Sequence, residues 1–219
     1  TKENYLGMEG CMLSVVIPSL GGDLCDTLDS ANASSVCLDE IIVCLPNDTH
    51  SVKNAIKYKN LTIVYAQRYG QVYQRIVGFH QAKGDYIFQA DDDILLDNQC
   101  LEKLVTSLKG LTSTSTVSPC LFNANGKPFY KSKKNNLLLI YYRLINGKTG
   151  YKSGVITLAG TNFGVNVKDV NSDVVDVDWQ PGGCVLHRRE NLILEDYYPY
   201  GGKAYSEDLI HSYLLRKSG

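Results

Sequence analysis

Four short apolar runs in the N-terminal half of the chain limit what it can fold into. They are Leu13-Ser14-Val15-Val16-Ile17, Glu40-Ile41-Ile42-Val43-Cys44-Leu45, Leu61-Thr62-Ile63-Val64-Tyr65 and Tyr86-Ile87-Phe88-Gln89-Ala90. Each is rich in β-branched or aromatic residues and reads as a buried strand. Helical spacing of apolar residues fills the gaps. Leu24, Leu28 and Ala31 follow Asp23 as a cap, and Val52, Ala55 and Ile56 follow Thr49. Val72, Ile76, Val77 and Phe79 occupy a helix predicted from Gly70 to Lys83, with Gly84 ending it. Such alternation predicts an α/β fold, a Rossmann-like and mostly parallel sheet flanked by helices, with right-handed crossovers. Ligands of open α/β sheets bind outside the carboxyl ends of the strands.

The fourth run ends at such a place in Asp91-Asp92-Asp93. Two carboxylates about 4 Å apart repel by roughly 1 kcal/mol in water and about 4 kcal/mol at an effective dielectric near 20. A hard divalent cation, Mn²⁺ or Mg²⁺, removes that repulsion and leaves positions for water and substrate phosphates. The triplet therefore reads as a metal–diphosphate site. The alternative is a solvated acidic turn, with Asp97 or Asn98 capping the next helix. Neither G-x-G-x-x-G nor G-x-x-x-x-G-K-[ST] occurs, so a glycine cradle for phosphate is not expected.

After a helix from Asn98 to Lys109, with Leu101, Leu104, Val105 and Leu108 on one face, the alternation stops. Leu111 to Ser118, rich in Ser and Thr, marks a boundary. Gly126 to Gly150 interleaves Lys127, Lys131, Lys133, Lys134, Arg143 and Lys148 with Phe129, Tyr130, Tyr141 and Tyr142. That stretch reads as a solvated helix face plus loops, or as a docking surface for an anionic or glycan partner. Val174 to Trp179 alternates as a strand, Pro181-Gly182-Gly183 turns, and Cys184 to Arg188 forms another strand containing a packed His187. The last helix follows the helix-end rules, with Ser206 as N-cap and Glu207 and Asp208 in the first turn. Leu209, Ile210, Tyr213 and Leu214 form its predicted apolar face, and His211 makes an exposed contact with Glu207.

The 219 residues carry a net charge of -1, so no global field favours nucleic acid or an anionic membrane. Seven cysteines without a C-x-x-C pair argue against a disulfide framework and for a reducing compartment. No apolar run approaches the roughly 18–20 residues of a membrane span. Residues 1–11 read as a leader, with Met12 a plausible start.

Taken together, several motifs resemble family 2 inverting glycosyltransferases of the GT-A fold, of the bacterial surface-polysaccharide type. They are Val15-Val16-Ile17-Pro18-Ser19, Gly70-Gln71 with Arg75, Ala82-Lys83-Gly84-Asp85-Tyr86-Ile87, and Asp91-Asp92-Asp93. Gly182-Gly183 before a strand ending Arg188-Arg189-Glu190, and Tyr205-Ser206-Glu207-Asp208, complete the set. The resemblance implies a nucleotide-diphosphate sugar donor, UDP favoured, and a glycan or lipid-linked saccharide acceptor. It implies a cytoplasmic enzyme, peripheral at the inner face of the membrane. Residues 12–110 would form the nucleotide-sugar half, and 111–219 the acceptor half with a smaller sheet region. Pro18, Ser19 and Leu20 would line the nucleoside, Gln71 and Arg75 would close over base and ribose, and Asp91 and Asp92 would serve the donor. Asp93, with Asp91, would hold Mn²⁺ or Mg²⁺. Asp208 would be the base and Glu207 its partner at the acceptor. Trp179, Gly182 and Gly183 would meet acceptor or diphosphate.

The chain departs from the pattern in three places. Cys44-Leu45-Pro46-Asn47-Asp48 stands where members often carry Asp-x-x-Ser, Ile76 stands where Asn is common, and the chain ends with the Glu-Asp helix. Two other readings stay open: a GT-A domain that binds nucleotide sugar or glycan without catalysis, and a sugar-phosphate nucleotidyltransferase. The second lacks the basic residues expected in Ser19-Leu20-Gly21-Gly22-Asp23.

Overall fold

The computed structural model describes residues 11–47, 50–130, 135–201 and 203–218. The expected leader up to residue 10, Asp48, Thr49, Lys131, Lys133, Lys134 and Gly219 lie outside the described residues. The chain divides into two compact units, one of residues 1–118 and 181–219 and one of residues 119–180.

The first unit is built on a five-stranded sheet of order β3-β2-β1-β4-β5. Strands β1 (Leu13–Pro18), β2 (Glu40–Leu45), β3 (Leu61–Tyr65) and β4 (Tyr86–Ala90) are parallel, and β5 (Cys184–Arg188) runs antiparallel to β4. All four predicted parallel strands form where the apolar runs placed them. The three interior ones, β2, β1 and β4, are apolar because both of their faces are covered. Helices α1 (Cys25–Asn32), α2 (Gln71–Gln81) and α3 (Cys100–Lys109) flank the sheet. Asp23 accepts the Cys25 N–H at 3.1 Å at the start of α1, and α3 buries Leu101, Leu104, Val105 and Leu108 as its periodicity predicts. Phe79 and Ala82, at the end of α2, pack with Val16, Ile42, Cys44 and Ile87 in the core.

Two local expectations fail. The segment after β2 forms only a three-residue 3₁₀ turn, Ala55–Lys57, and leaves Ile56 98% exposed. Its backbone is spent elsewhere: the Gly22 N–H donates to the Ser51 carbonyl and the Lys53 N–H to the Gly22 carbonyl, both at 2.7 Å. Gly84 does not end α2, which closes at Gln81. Its N–H instead donates to Ser14 Oγ at 2.7 Å, tying the approach of β4 to β1.

The second unit holds α4 (Asn136–Asn146), short 3₁₀ turns and two isolated bridges, Phe122 with Pro128 and Ile156 with Asn162. Asn135 caps α4 by accepting the Leu138 N–H. Residues 174–179 are not a strand. The Asp178 N–H donates to the Gly154 carbonyl at 2.6 Å and its carboxylate accepts the Ile156 N–H at 3.0 Å, a side-chain-assisted loop contact that supplies no ladder. The remaining helix, α5 (Glu207–Ser218), belongs to the first unit.

Candidate active site

The strand order reverses between β1 and β4, and the carboxyl ends of those strands flank the crevice where α/β sheets bind ligands. Two predicted segments meet there. The Ser19 hydroxyl donates to Asp92 Oδ2 at 2.5 Å, and the Thr27 hydroxyl donates to the Asp92 carbonyl at 2.8 Å. Asp92 thus fastens the aspartate loop to the loop after β1. Pro18 and Ser19 are buried in this joint, while Leu20 is exposed. Gln74 locks the same corner from α2: its Nε2 donates to the Ser19 carbonyl at 2.8 Å and the Cys44 carbonyl at 2.7 Å.

Asp91 and Asp93 play different parts. Asp91 Oδ1 accepts from Gln71 Nε2 at 2.8 Å and lies 3.5 Å from Arg75 Nη2. Burial raises its pKa, against the pull of Arg75 and Gln71, and the negative charge of Asp93 adds to the rise. Asp93 itself is exposed. No group of three or more His, Cys, Asp or Glu side chains is arranged to hold a metal ion among the described residues. Asp91 with the exposed Asp93 supplies hard oxygen ligands of the kind that would hold Mn²⁺ or Mg²⁺. Mg²⁺ usually takes only one or two carboxylates and fills its shell with water and phosphate oxygens.

Arg75 departs from its expected place over base and ribose. It is 2% exposed, and its Nη1 donates to Glu207 Oε1 at 2.7 Å. Burial works against its charge, but the oxygens of Glu207, Tyr197 and Asp91 outweigh burial and hold the guanidinium protonated. Glu207 is 4% exposed, and its other oxygen accepts the Tyr197 hydroxyl at 2.8 Å. Burial alone would raise the Glu207 pKa; Arg75 and the Tyr197 hydrogen bond bring it below the usual range. Both carboxylate oxygens are therefore engaged inside the protein. Asp208 is half-buried and accepts the Leu209 N–H at 3.0 Å. Its pKa is raised, first by burial and then by the charge of Glu207, although backbone donors at the helix start oppose that. A base needs such a rise to be basic enough to take a proton.

Gly182-Gly183 is the hinge between the two carboxylate groups. A Cβ on Gly182 would overlap Glu207 Oε1 and lie 3.4 Å from Asp208 Cβ, and one on Gly183 would lie 2.5 Å from Asp91 Oδ2. The Asp91 N–H donates to the Gly183 carbonyl at 2.9 Å. Only a residue without a side chain lets the backbone pass so close to Asp91 and Glu207 at once.

The inward face of α5 is the reverse of the predicted one. Glu207, His211 and Ser212 are buried, while Ile210 and Tyr213 are exposed. The buried ion pair with Arg75 fixes the helix rotation. His211, expected at the surface, stacks on Tyr197 with centroids 5.9 Å apart and meets His187 at 5.4 Å. Burial first, then the Arg75 charge, lowers the His211 pKa to about 4. His187 is packed as predicted. Gln89 Nε2 donates to the Gly182 carbonyl at 2.6 Å, which leaves its Oε1, 3.2 Å from His187 Nε2, to accept from that ring. Sequence reasoning missed Gln74, Gln89 and Tyr197, and placed His211 at the surface. A polar residue inside an otherwise apolar strand was the one available signal, at Gln89. Trp179, expected at the acceptor, belongs to the second unit. It is buried there, with its indole N–H donating to the Phe163 carbonyl at 3.1 Å and its ring edge-on to Tyr130.

Comparison with known proteins agrees with this geometry. The family model described as Glycosyl transferase family 2 matches residues 14–171. Among solved structures, S. aureus TarS 1-349 is similar with a TM-score of 0.57 at 16% identity, over 93% of this chain and 55% of that one. Its complex with UDP gives 0.56 at 15% identity over 93% and 54%, and its complex with UDP-GlcNAc gives 0.55 at 16% over 92% and 52%. The chain thus spans about half the length of these structures, and at such identity the likeness is one of fold. No curated protein sequence matches. With the family model covering well over half of its residues and its sheet matching that fold, the chain belongs to Glycosyl transferase family 2 and adopts the GT-A fold.

Proposed function

We propose that this chain carries the donor and catalytic groups of a metal-dependent, inverting glycosyltransferase. It moves a sugar from a nucleotide-diphosphate donor, UDP-sugar favoured, to a glycan or lipid-linked saccharide acceptor in bacterial surface-polysaccharide synthesis. The observation that carries the reading is the Gly182-Gly183 backbone held against Asp91 on one side and Glu207-Asp208 on the other. It brings a diphosphate-binding corner and a proton acceptor to one crevice, as single displacement requires.

In this reading the loop Pro18-Ser19-Leu20 and Gln71 position the nucleoside side of the donor. Asp93, with Asp91 beside it, would hold Mn²⁺ or Mg²⁺, which when bound supplies Lewis-acid stabilisation of the departing diphosphate. Asp208 takes the proton of the acceptor hydroxyl as that oxygen attacks the anomeric carbon. One carboxylate suffices, and attack opposite the leaving group inverts the configuration. Glu207 and Arg75 touch neither substrate; they hold the first turn of α5 and Asp91 in register. Residues 12–110 then form the donor half and 111–219 the acceptor half. The UDP and UDP-GlcNAc complexes of TarS support the choice of donor. Seven free thiols support a reducing, cytoplasmic setting.

The test is Asp208→Asn in the purified protein with UDP-sugars and Mn²⁺. Donor binding is expected to persist while turnover falls by about 10²–10⁴, the usual worth of a positioned base. Unchanged turnover would remove Asp208 from that role.

A further inference from the structure

The outward face of α4 is apolar. Leu137, Ile140, Tyr141 and Leu144 recur at the spacing of one helical stripe, and they are 79%, 59%, 54% and 80% exposed. Leu138 and Ile145 widen the stripe, and among the described residues of the helix only Asn146 is buried. A stripe this continuous marks an interaction site. The unit that carries it is basic, with eight lysines and arginines against four aspartates in residues 119–180. Between Glu102 and Asp169 the chain has ten lysines and arginines and no acidic residue, although its net charge is -1. Of these, Lys127, Arg143, Lys148 and Lys152 are exposed in the same unit as α4. The aspartates of that unit come later in sequence, and Asp169 accepts from the Tyr151 and Ser153 hydroxyls.

We propose that α4 is an interfacial helix that docks this unit on an anionic lipid bilayer. Its eleven residues reach about 16 Å, against a hydrocarbon core of about 30 Å, so it lies in the interface and does not cross. Among the described residues no helix is long and apolar enough to cross a membrane. Leu137, Ile140 and Leu144 enter the acyl boundary, Tyr141 sits at headgroup level, and Arg143 and Lys148 meet lipid phosphates. A bilayer fits better than a protein partner because a row of exposed aliphatic side chains on a unit of net positive charge is complementary to a surface both apolar and negative. The inference is independent of the sugar-transfer reading.

The experiment sediments the purified protein with vesicles of phosphatidylcholine alone and of phosphatidylcholine mixed with phosphatidylglycerol. The protein should pellet with the anionic vesicles, less as salt rises, and stay in solution with the neutral ones. Leu137→Ser/Leu144→Ser should abolish pelleting. Arg143→Gln/Lys148→Gln should weaken it about fivefold per charge removed. Far-UV circular dichroism and Tm check that the variants fold; if the leucine variant does not, the charge variant decides. Failure to pellet with anionic vesicles, or pelleting that neither variant diminishes, overturns the proposal. So does a self-associated protein that the leucine variant turns into monomer without any vesicle binding, which gives the stripe to a second copy of the chain.

Discussion

Helices α4 and α5 both turn the wrong side outward, for opposite reasons. Helix α5 buries Glu207, His211 and Ser212 and leaves Ile210 and Tyr213 in solvent. A guanidinium waits for it inside: Arg75, at 2.7 Å from Glu207, makes the polar face the inward one. Helix α4 presents Leu137, Ile140 and Leu144 outward, and among the described residues of the helix only Asn146 is buried. The difference teaches that periodicity finds a helix, but a buried charge or an external surface decides its rotation. In α5 the rotation buries Glu207 against Arg75 and leaves Asp208 half-buried, which in the proposed function frees Asp208 to act as the base. In α4 it serves contact.

Breaking the ion pair tests the α5 half of this comparison with the largest effect. Arg75→Met leaves Glu207 buried and unpaired and should cost about 3–5 kcal/mol by urea denaturation. Adding Glu207→Leu should recover most of that loss, since a buried pair exchanged for apolar groups is often neutral. If the single variant is as stable as the parent, the ion pair does not set the rotation.

The next effect appears on acidification. The His211 pKa falls from 6.5 in the unfolded chain to about 4 in the folded one. Between those values the unfolded chain binds a proton that the folded chain refuses, so stability drops as pH falls through that window. At about 1.4 kcal/mol per pH unit the loss amounts to roughly 3 kcal/mol by pH 4. His211→Phe should flatten the profile by that amount; an unchanged slope would place the sensitive group elsewhere.

The smallest effect sharpens the α4 half. Leu137→Ser/Leu144→Ser should move Tm little, within about 0.5 kcal/mol for an exposed surface. A loss of several kcal/mol would mean that the stripe is packed and not outward.

Most of the sheet could be read from sequence, because parallel strands covered on both faces leave unbroken apolar runs. The aspartate loop and the Glu-Asp helix start were legible as motifs. What stayed hidden depends on distance along the chain. Arg75 and Glu207 are 132 residues apart, and nothing local to either says that they pair. Once they pair, the face of α5 and the burial of His211 and Arg75 follow. The missing helix after β2 was misread for another reason: Val52 has helical spacing to its neighbours, but its segment is held by Gly22 in a bridge. Trp179 was expected at the acceptor because an aromatic near a glycine pair looks like a binding residue; the structure packs it within its own unit.

The most direct test of the central claim is nucleotide binding read by thermal shift, with and without Mn²⁺, in the parent and in Asp93→Ala. A ligand at a hundredfold excess over Kd stabilises the folded state by about 2.7 kcal/mol. The account predicts that UDP raises Tm only when Mn²⁺ is present and that Asp93→Ala loses the rise while keeping its own Tm. No rise with UDP, GDP, CDP or dTDP, or a rise indifferent to Mn²⁺ and to Asp93, would contradict it.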